Sequence, residues 1–190
     1  MVLRFPVTGR QTERGWLSTR YSPGHGAGVW LAPVNAGQLG TPSAFIDSDH
    51  NEGGAVFSPL SSRGGPSWLA YTSDESGRDE VYVQSFPAAR TKIKISLAGG
   101  SRPLWNHDAS ELYFLDPKGM LMAARVRNAR TMEIDRPREL FLIGTPPLDR
   151  PPYALNYATW DGSRFLVRSS GSEGEHRSIA ILTHWVPTGR

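Results

Sequence analysis

The chain has 190 residues, 21 Lys and Arg against 18 Asp and Glu, a formal charge of +3, and no Cys. Disulfides and thiolate metal sites are excluded, and interleaved charges without a dense Lys/Arg block argue against a nucleic-acid-binding surface. Twenty Gly and 15 Pro leave little room for long helices, so the short apolar runs between these breakers predict an all-β protein.

Residues 1–27 are the least legible part. Met1 to Arg20 carries Arg4, Arg10, Arg14 and Arg20 and has no apolar core of signal-peptide length. No later stretch approaches the roughly 20 apolar residues of a membrane span. The chain as written is expected to be soluble, with its compartment left open. Trp16 to Tyr21 is a candidate strand, followed by a turn at Ser22-Pro23-Gly24. Gly28 to Val34 and Thr41 to Ile46 are clearer strands, and residues 28–50 read as a partial unit.

A full unit follows at 54–97. Ala55 to Ser58 is a short first strand, Leu60 to Ser67 a long turn, Trp68 to Ser73 and Val81 to Phe86 a hairpin, and Lys92 to Ser96 a fourth strand. Trp68-Leu69-Ala70-Tyr71 has no polar interruption, as expected of a strand covered on both faces. A third unit, 98–145, has strands near Pro103, at Glu111 to Leu115, Leu121 to Val126 and Glu139 to Ile143, with a turn at Asp116-Pro117-Lys118-Gly119. Met120 to Arg136 lacks Gly and Pro and is rich in helix formers; the repeat predicts strand plus loop there instead. The last unit, 153–186, has its best strands at Arg164 to Ser169 and Ser178 to Trp185.

The units repeat. Phe57-Ser58-Pro59 leads to Trp68-Leu69-Ala70-Tyr71, Trp105-Asn106-His107-Asp108 to Glu111-Leu112-Tyr113-Phe114, and Thr159-Trp160-Asp161-Gly162 to Arg164-Phe165-Leu166-Val167. The spacings of 43 and 53 residues are close to the period of about 40–50 expected for propeller blades.

Phe57-Ser58-Pro59, Trp68 through Arg78, Glu80-Val81-Tyr82-Val83 and Ala98-Gly99-Gly100-Ser101-Arg102-Pro103-Leu104-Trp105 together resemble the TolB-like (WD40-like) β-propeller repeat. The resemblance covers about residues 28–185. It implies a β-propeller of about four blades here. The TolB-like kind has six, so the four blades either close by themselves, with Ser178 to Trp185 sharing a blade with an N-terminal strand, or form the C-terminal part of a larger ring, of the sort found in large bacterial proteins such as sensor serine/threonine kinases. An incomplete ring leaves an open blade edge that invites self-association. Leu60 to Ser67 departs from the family, which has a compact Asp-Gly turn there.

Candidate chemistry is sparse. There is no Gly-x-Ser-x-Gly elbow, phosphate-binding Gly-rich loop or His-Glu-x-x-His, and no cofactor is implied. His25, His50, His107, His176 and His184 form no short-spaced pair, so no metal site is expected. Asp47-Ser48-Asp49-His50-Asn51-Glu52-Gly53 spaces oxygen ligands as a calcium loop does, but its Gly falls one place late and Ser58 stands where the closing Glu belongs. Asp74, Glu75, Asp79 and Glu80 crowd one hairpin loop, read as exposed and turn-forming with Gly77 in the left-handed position. The arginines at 125, 127, 130, 136 and 138, broken by Glu133 and Asp135, read as a solvated face.

The expected function is therefore a non-catalytic module that binds a protein or peptide on its loop face, with Asn51, Glu52, Arg102 and Asp161 as candidate contacts. The rival class is a propeller lyase or glycosidase with carboxylates and His on the central channel; a truncated reading frame without independent function is the third reading.

Overall fold

The computed structural model describes residues 14–21, 26–35, 38–59, 67–144, 157–159, 161–168 and 179–182. These residues are all-β, without a helix, in four antiparallel sheets. The first sheet contains β1 (Arg14–Tyr21), β2 (Ala27–Asn35), β3 (Gln38–Leu39) and β4 (Ser43–Ile46), with β2 pairing all three others. β1 pairs with β2 along its whole length, so this sheet draws on residues before 28.

The second sheet is a meander of β5 (Glu52–Phe57), β6 (Ser67–Ser73), β7 (Glu80–Phe86) and β8 (Lys92–Lys94). The third contains β9 (Ser101–Trp105), β10 (Glu111–Leu115), β11 (Met120–Asn128), β12 (Glu133–Ile134) and β13 (Arg138–Leu142), with β12 and β13 both on the outer side of β11. The fourth has β14 (Tyr157–Thr159), β15 (Phe165–Arg168) and β16 (Ile179–Leu182).

The sheets pack on one another in chain order through three apolar layers. Val29, Ala55, Leu69, Tyr71 and Tyr82 lie between the first and second sheets. Trp68, Ala70, Val81, Val83, Trp105, Leu112 and Phe114 fill the layer between the second and third. Tyr113, Leu115, Leu121, Ala123, Phe165 and Val167 fill that between the third and fourth. Side chains alternate along a strand, so Trp68 and Ala70 enter one layer while Leu69 and Tyr71 enter the other. That is why β6 and β10 carry unbroken apolar runs. The same demand settles Met120 to Arg136: Leu121 and Ala123 face one layer and Ala124 the opposite one, which outweighs the helical preference of Ala, Met and Arg.

Passage from the second sheet to the third runs through Gly99 and Gly100. Gly99 has φ +98°, and a Cβ there would sit 2.5 Å from Pro117 Cγ; one on Gly100 would sit 2.8 Å from Ser96 Cβ and 2.9 Å from the Phe114 ring. The turn needs Gly for its backbone angle and for its close approach to the next sheet.

Candidate functional site

One end of the second sheet collects several buried polar residues. Glu52 on β5 pairs with Ser73 on β6, which pairs with Glu80 on β7. Directly opposed residues share a face, so the three form one row, and all three are buried.

Glu80 corrects the expectation of an exposed four-carboxylate loop. Ser76 to Asp79 are exposed, but Glu80 is fully buried as the first residue of β7. Its Oε2 accepts hydrogen bonds from Ser96 Oγ and, at 3.0 Å, from the Gly99 amide; Oε1 accepts from Arg78 Nε at 2.9 Å. Lys94 Nζ is 3.9 Å away. Burial alone would raise this carboxyl, but the bonds from Ser96, Arg78 and Gly99 outweigh it and hold the group below its ordinary value.

Glu52 has the same side chain at the other end of the row and the opposite balance. Its Oε1 accepts from Ser48 Oγ at 2.5 Å and more weakly from Ser73 Oγ at 3.5 Å. Its Oε2 is buried and has no hydrogen-bond partner among the described residues. Burial pushes this carboxyl up, against the Ser48 bond and the charges of His50 and Lys92.

Beside it, Asn51 ties the first sheet to the second. Its amide donates to Asp74 Oδ1 at 2.8 Å, its Nδ2 to Asp74 Oδ2 at 2.7 Å, and its Oδ1 accepts from the Ala27 amide at 3.2 Å. Burial raises Asp74, but the Asn51 bonds overcome it and lower the carboxyl. Asn51→Ala breaks this clamp and is expected to cost about 1–2 kcal/mol, measured by urea denaturation. Asp74→Ala should cost a similar amount, and the double variant less than the sum of the two.

Arg102 holds its place by main chain. It adopts φ +57°, its amide donates to Thr72 Oγ1 of the second sheet at 3.2 Å, and its carbonyl accepts the Tyr157 hydroxyl of the fourth sheet at 2.7 Å. Its guanidinium reaches Ser101 Oγ at 3.3 Å. Three sheets meet at this residue. Thr72 pairs with Gly53, so Arg102 lies at the same end of the stack as Asn51 and Glu52.

Asp161 lies at the other end. Arg102 is at the start of β9, beside the end of β10, whereas the Asp161 turn packs on the start of β10: a Cβ on Gly162 (φ +74°) would run into the Tyr113 hydroxyl and lie 3.6 Å from Glu111. Asp161 Oδ1 accepts from the Ser163 amide at 3.0 Å, Ser163 Oγ at 2.9 Å and the Arg164 amide at 3.1 Å, and Oδ2 pairs with Arg164 at 3.0 Å. The Ser163 and Arg164 bonds hold this carboxyl well below the usual carboxylate range. It is a turn-forming residue.

Among the described residues no three His, Asp or Glu side chains are grouped to hold a metal ion; in the calcium-like loop, Asn51 and Glu52 are engaged with Asp74 and Ser48. On the arginine-rich strands, Arg127 pairs with Asp135 and Arg138 with Glu111; the first pair lines an open groove of about 660 Å³ together with Glu133, Ile134 and Arg136. Thr72, Ser73 and Tyr157 are not marked as site residues in the sequence, and Asp74 is marked there only as one of four turn carboxylates; strand register and sheet packing identify their roles.

No family model matches the chain, and no curated protein does. A solved structure, a puromycin-hydrolysing peptidase of Mycobacterium tuberculosis, is similar at 19% identity with a TM-score of 0.45, over 98% of this chain and 29% of that one. The chain thus spans under a third of that protein's length, and a likeness at this score carries no argument about fold or activity.

Proposed function

We propose that the chain is a non-catalytic β-propeller module of the TolB-like (WD40-like) kind, that its four sheets are blades of a larger ring, and that it binds a protein or peptide. One observation carries this reading: four antiparallel sheets follow one another in chain order, each packed on the next through its own apolar layer. Successive sheets stacked in this way are the architecture of a propeller. The binding face is the end that carries the loops around Asn51, Glu52 and Arg102, where exposed segments rest on a rigid support. Asp161 belongs to the opposite end and is left out of it. The carboxylates of Asp74, Glu80 and Asp161 are engaged in internal hydrogen bonds, which favours a binding module over an enzyme that works through free acids and bases. Such a module suits the sensing or assembly part of a larger bacterial protein.

A random 12-mer display library selected against the immobilised chain tests the reading. A consensus peptide is expected to emerge, and its affinity should fall about tenfold or more in Asp49→Ala or Lys118→Ala at the proposed face. Asp108→Ala and Arg164→Ala at the opposite end should leave it unchanged. No enriched sequence, or losses confined to the opposite end, would refute it.

A further inference from the structure

We propose that Glu52 is an acid-operated latch on the seam between the first two sheets: as a neutral acid it stays folded into the seam, and its ionisation loosens the 47–51 segment. This goes beyond the binding reading and does not depend on it.

The geometry of the seam carries the proposal. The 47–51 segment joins β4 to β5 and is also the surface on which β2 begins, since a Cβ on Gly26 would collide with the His50 carbonyl. Two groups anchor this segment to the second sheet: the Asn51–Asp74 clamp and Glu52. Ser48 Oγ accepts from the His50 amide at 3.1 Å while binding Glu52 Oε1, so the Glu52 carboxyl ends a chain that shapes the segment. Glu52 is 1% exposed, and its second oxygen has no partner among the described residues. A buried carboxylate needs several donors, as Glu80 has; Glu52 has two hydroxyls, one of them distant.

The charged and titratable groups around it do not make up the difference. Lys92 on β8 is ion-paired to Glu75 of the β6–β7 turn and sits over the Tyr82 ring, 4.8 Å from its centroid. His50 Nδ1 is 3.9 Å from Asp74 Oδ1. The Lys92 ammonium and the His50 imidazole therefore each already face another carboxylate. Glu75 itself pushes Glu52 up, and the buried Tyr71 phenol is neutral across the carboxylate range and offers Glu52 no counter-charge. The sign follows. In the unfolded chain Glu52 ionises near the ordinary carboxylate value of about 4.3, and in the folded chain at a higher pH. Within that window the folded form keeps a proton that the unfolded form has lost. Stability therefore falls as pH rises through the window and stays lower above it.

The test is a series of thermal melts between pH 4 and 8 on the whole chain, with Glu52→Gln and His50→Asn. Glu52→Gln is expected to melt about 2–8 °C above the parent at pH 7–8, the gap closing towards pH 4, while His50→Asn keeps the parent's slope. Hydrogen exchange locates the effect. Corrected for intrinsic rate, the amides of Ala27 and Asn51 should open more readily at pH 8 than at pH 4 in the parent and equally at both in Glu52→Gln. A Gln variant that melts lower than the parent at neutral pH, or does not fold, overturns the latch, because a neutral isostere must fit a site that holds a neutral acid. So does a pH slope that survives Glu52→Gln and vanishes in His50→Asn.

Discussion

Trp68→Ala is expected to cost about 3–5 kcal/mol, the range for removing a large aromatic from a packed core, read as a shift in the urea midpoint at unchanged slope. Trp68 is 4% exposed and stands in the layer between the second and third sheets with Val81, Val83, Trp105 and Phe114. It also ties ends of both sheets. Its amide donates to Ser58 Oγ at 3.1 Å, and its indole Nε1 donates to the Ala129 carbonyl at 2.7 Å, in the turn between β11 and β12. The alanine variant removes the ring and its hydrogen bond to that carbonyl. Trp68→Phe keeps most of the apolar area and should lose less, about 1–2 kcal/mol. Trp105 is the comparison: its Nε1 is buried without a partner among the described residues, so Trp105→Phe should cost less than Trp68→Phe despite similar burial. A Trp68→Ala loss under about 1 kcal/mol would mean that this layer does little to join the sheets.

The same contrast shows what was legible in the sequence. The unbroken run at Trp68 to Tyr71 signals a strand buried on both faces, because alternate side chains enter different layers. Turns are legible where one residue sets the geometry, as Asp161-Gly162 and Asp116 with Gly119 do. Roles that arise from register are not. Asn51 and Asp74 stand 23 positions apart, and nothing local to either marks them as partners. Arg102 drew notice as a loop residue, yet its main chain makes the junction; a left-handed Arg is uncommon, so its residue type gave no warning. Glu52 and Glu80 are one residue type at the strand starts of one row, and only their donor counts separate them.

That row yields the second large effect. Glu80→Ala is expected to cost about 2–4 kcal/mol at neutral pH, because it leaves the Ser96 hydroxyl and the Gly99 amide buried without their acceptor. Loss of the Arg78 bond adds little, since that side chain is 56% exposed. The folded-state value of Glu80 lies below the unfolded one, so its contribution is complete above the ordinary carboxylate value and disappears as pH falls through the depressed one. The gap between parent and Glu80→Ala should be constant from pH 6 to 8 and close in acid. Glu52 runs the other way, losing stability above the ordinary carboxylate value. Two glutamates flanking one serine thus give pH slopes of opposite sign in adjoining windows, and their combined contribution is greatest between them, near pH 4–5. Titrating the melting temperature of Glu52→Gln, Glu80→Gln and the double variant separates the two: the first removes the alkaline-side fall, the second the acid-side fall, and the double variant both. If Glu80→Gln left the acid limb unchanged, its hydrogen bonds would not be what holds the start of β7 to the turn before the third sheet.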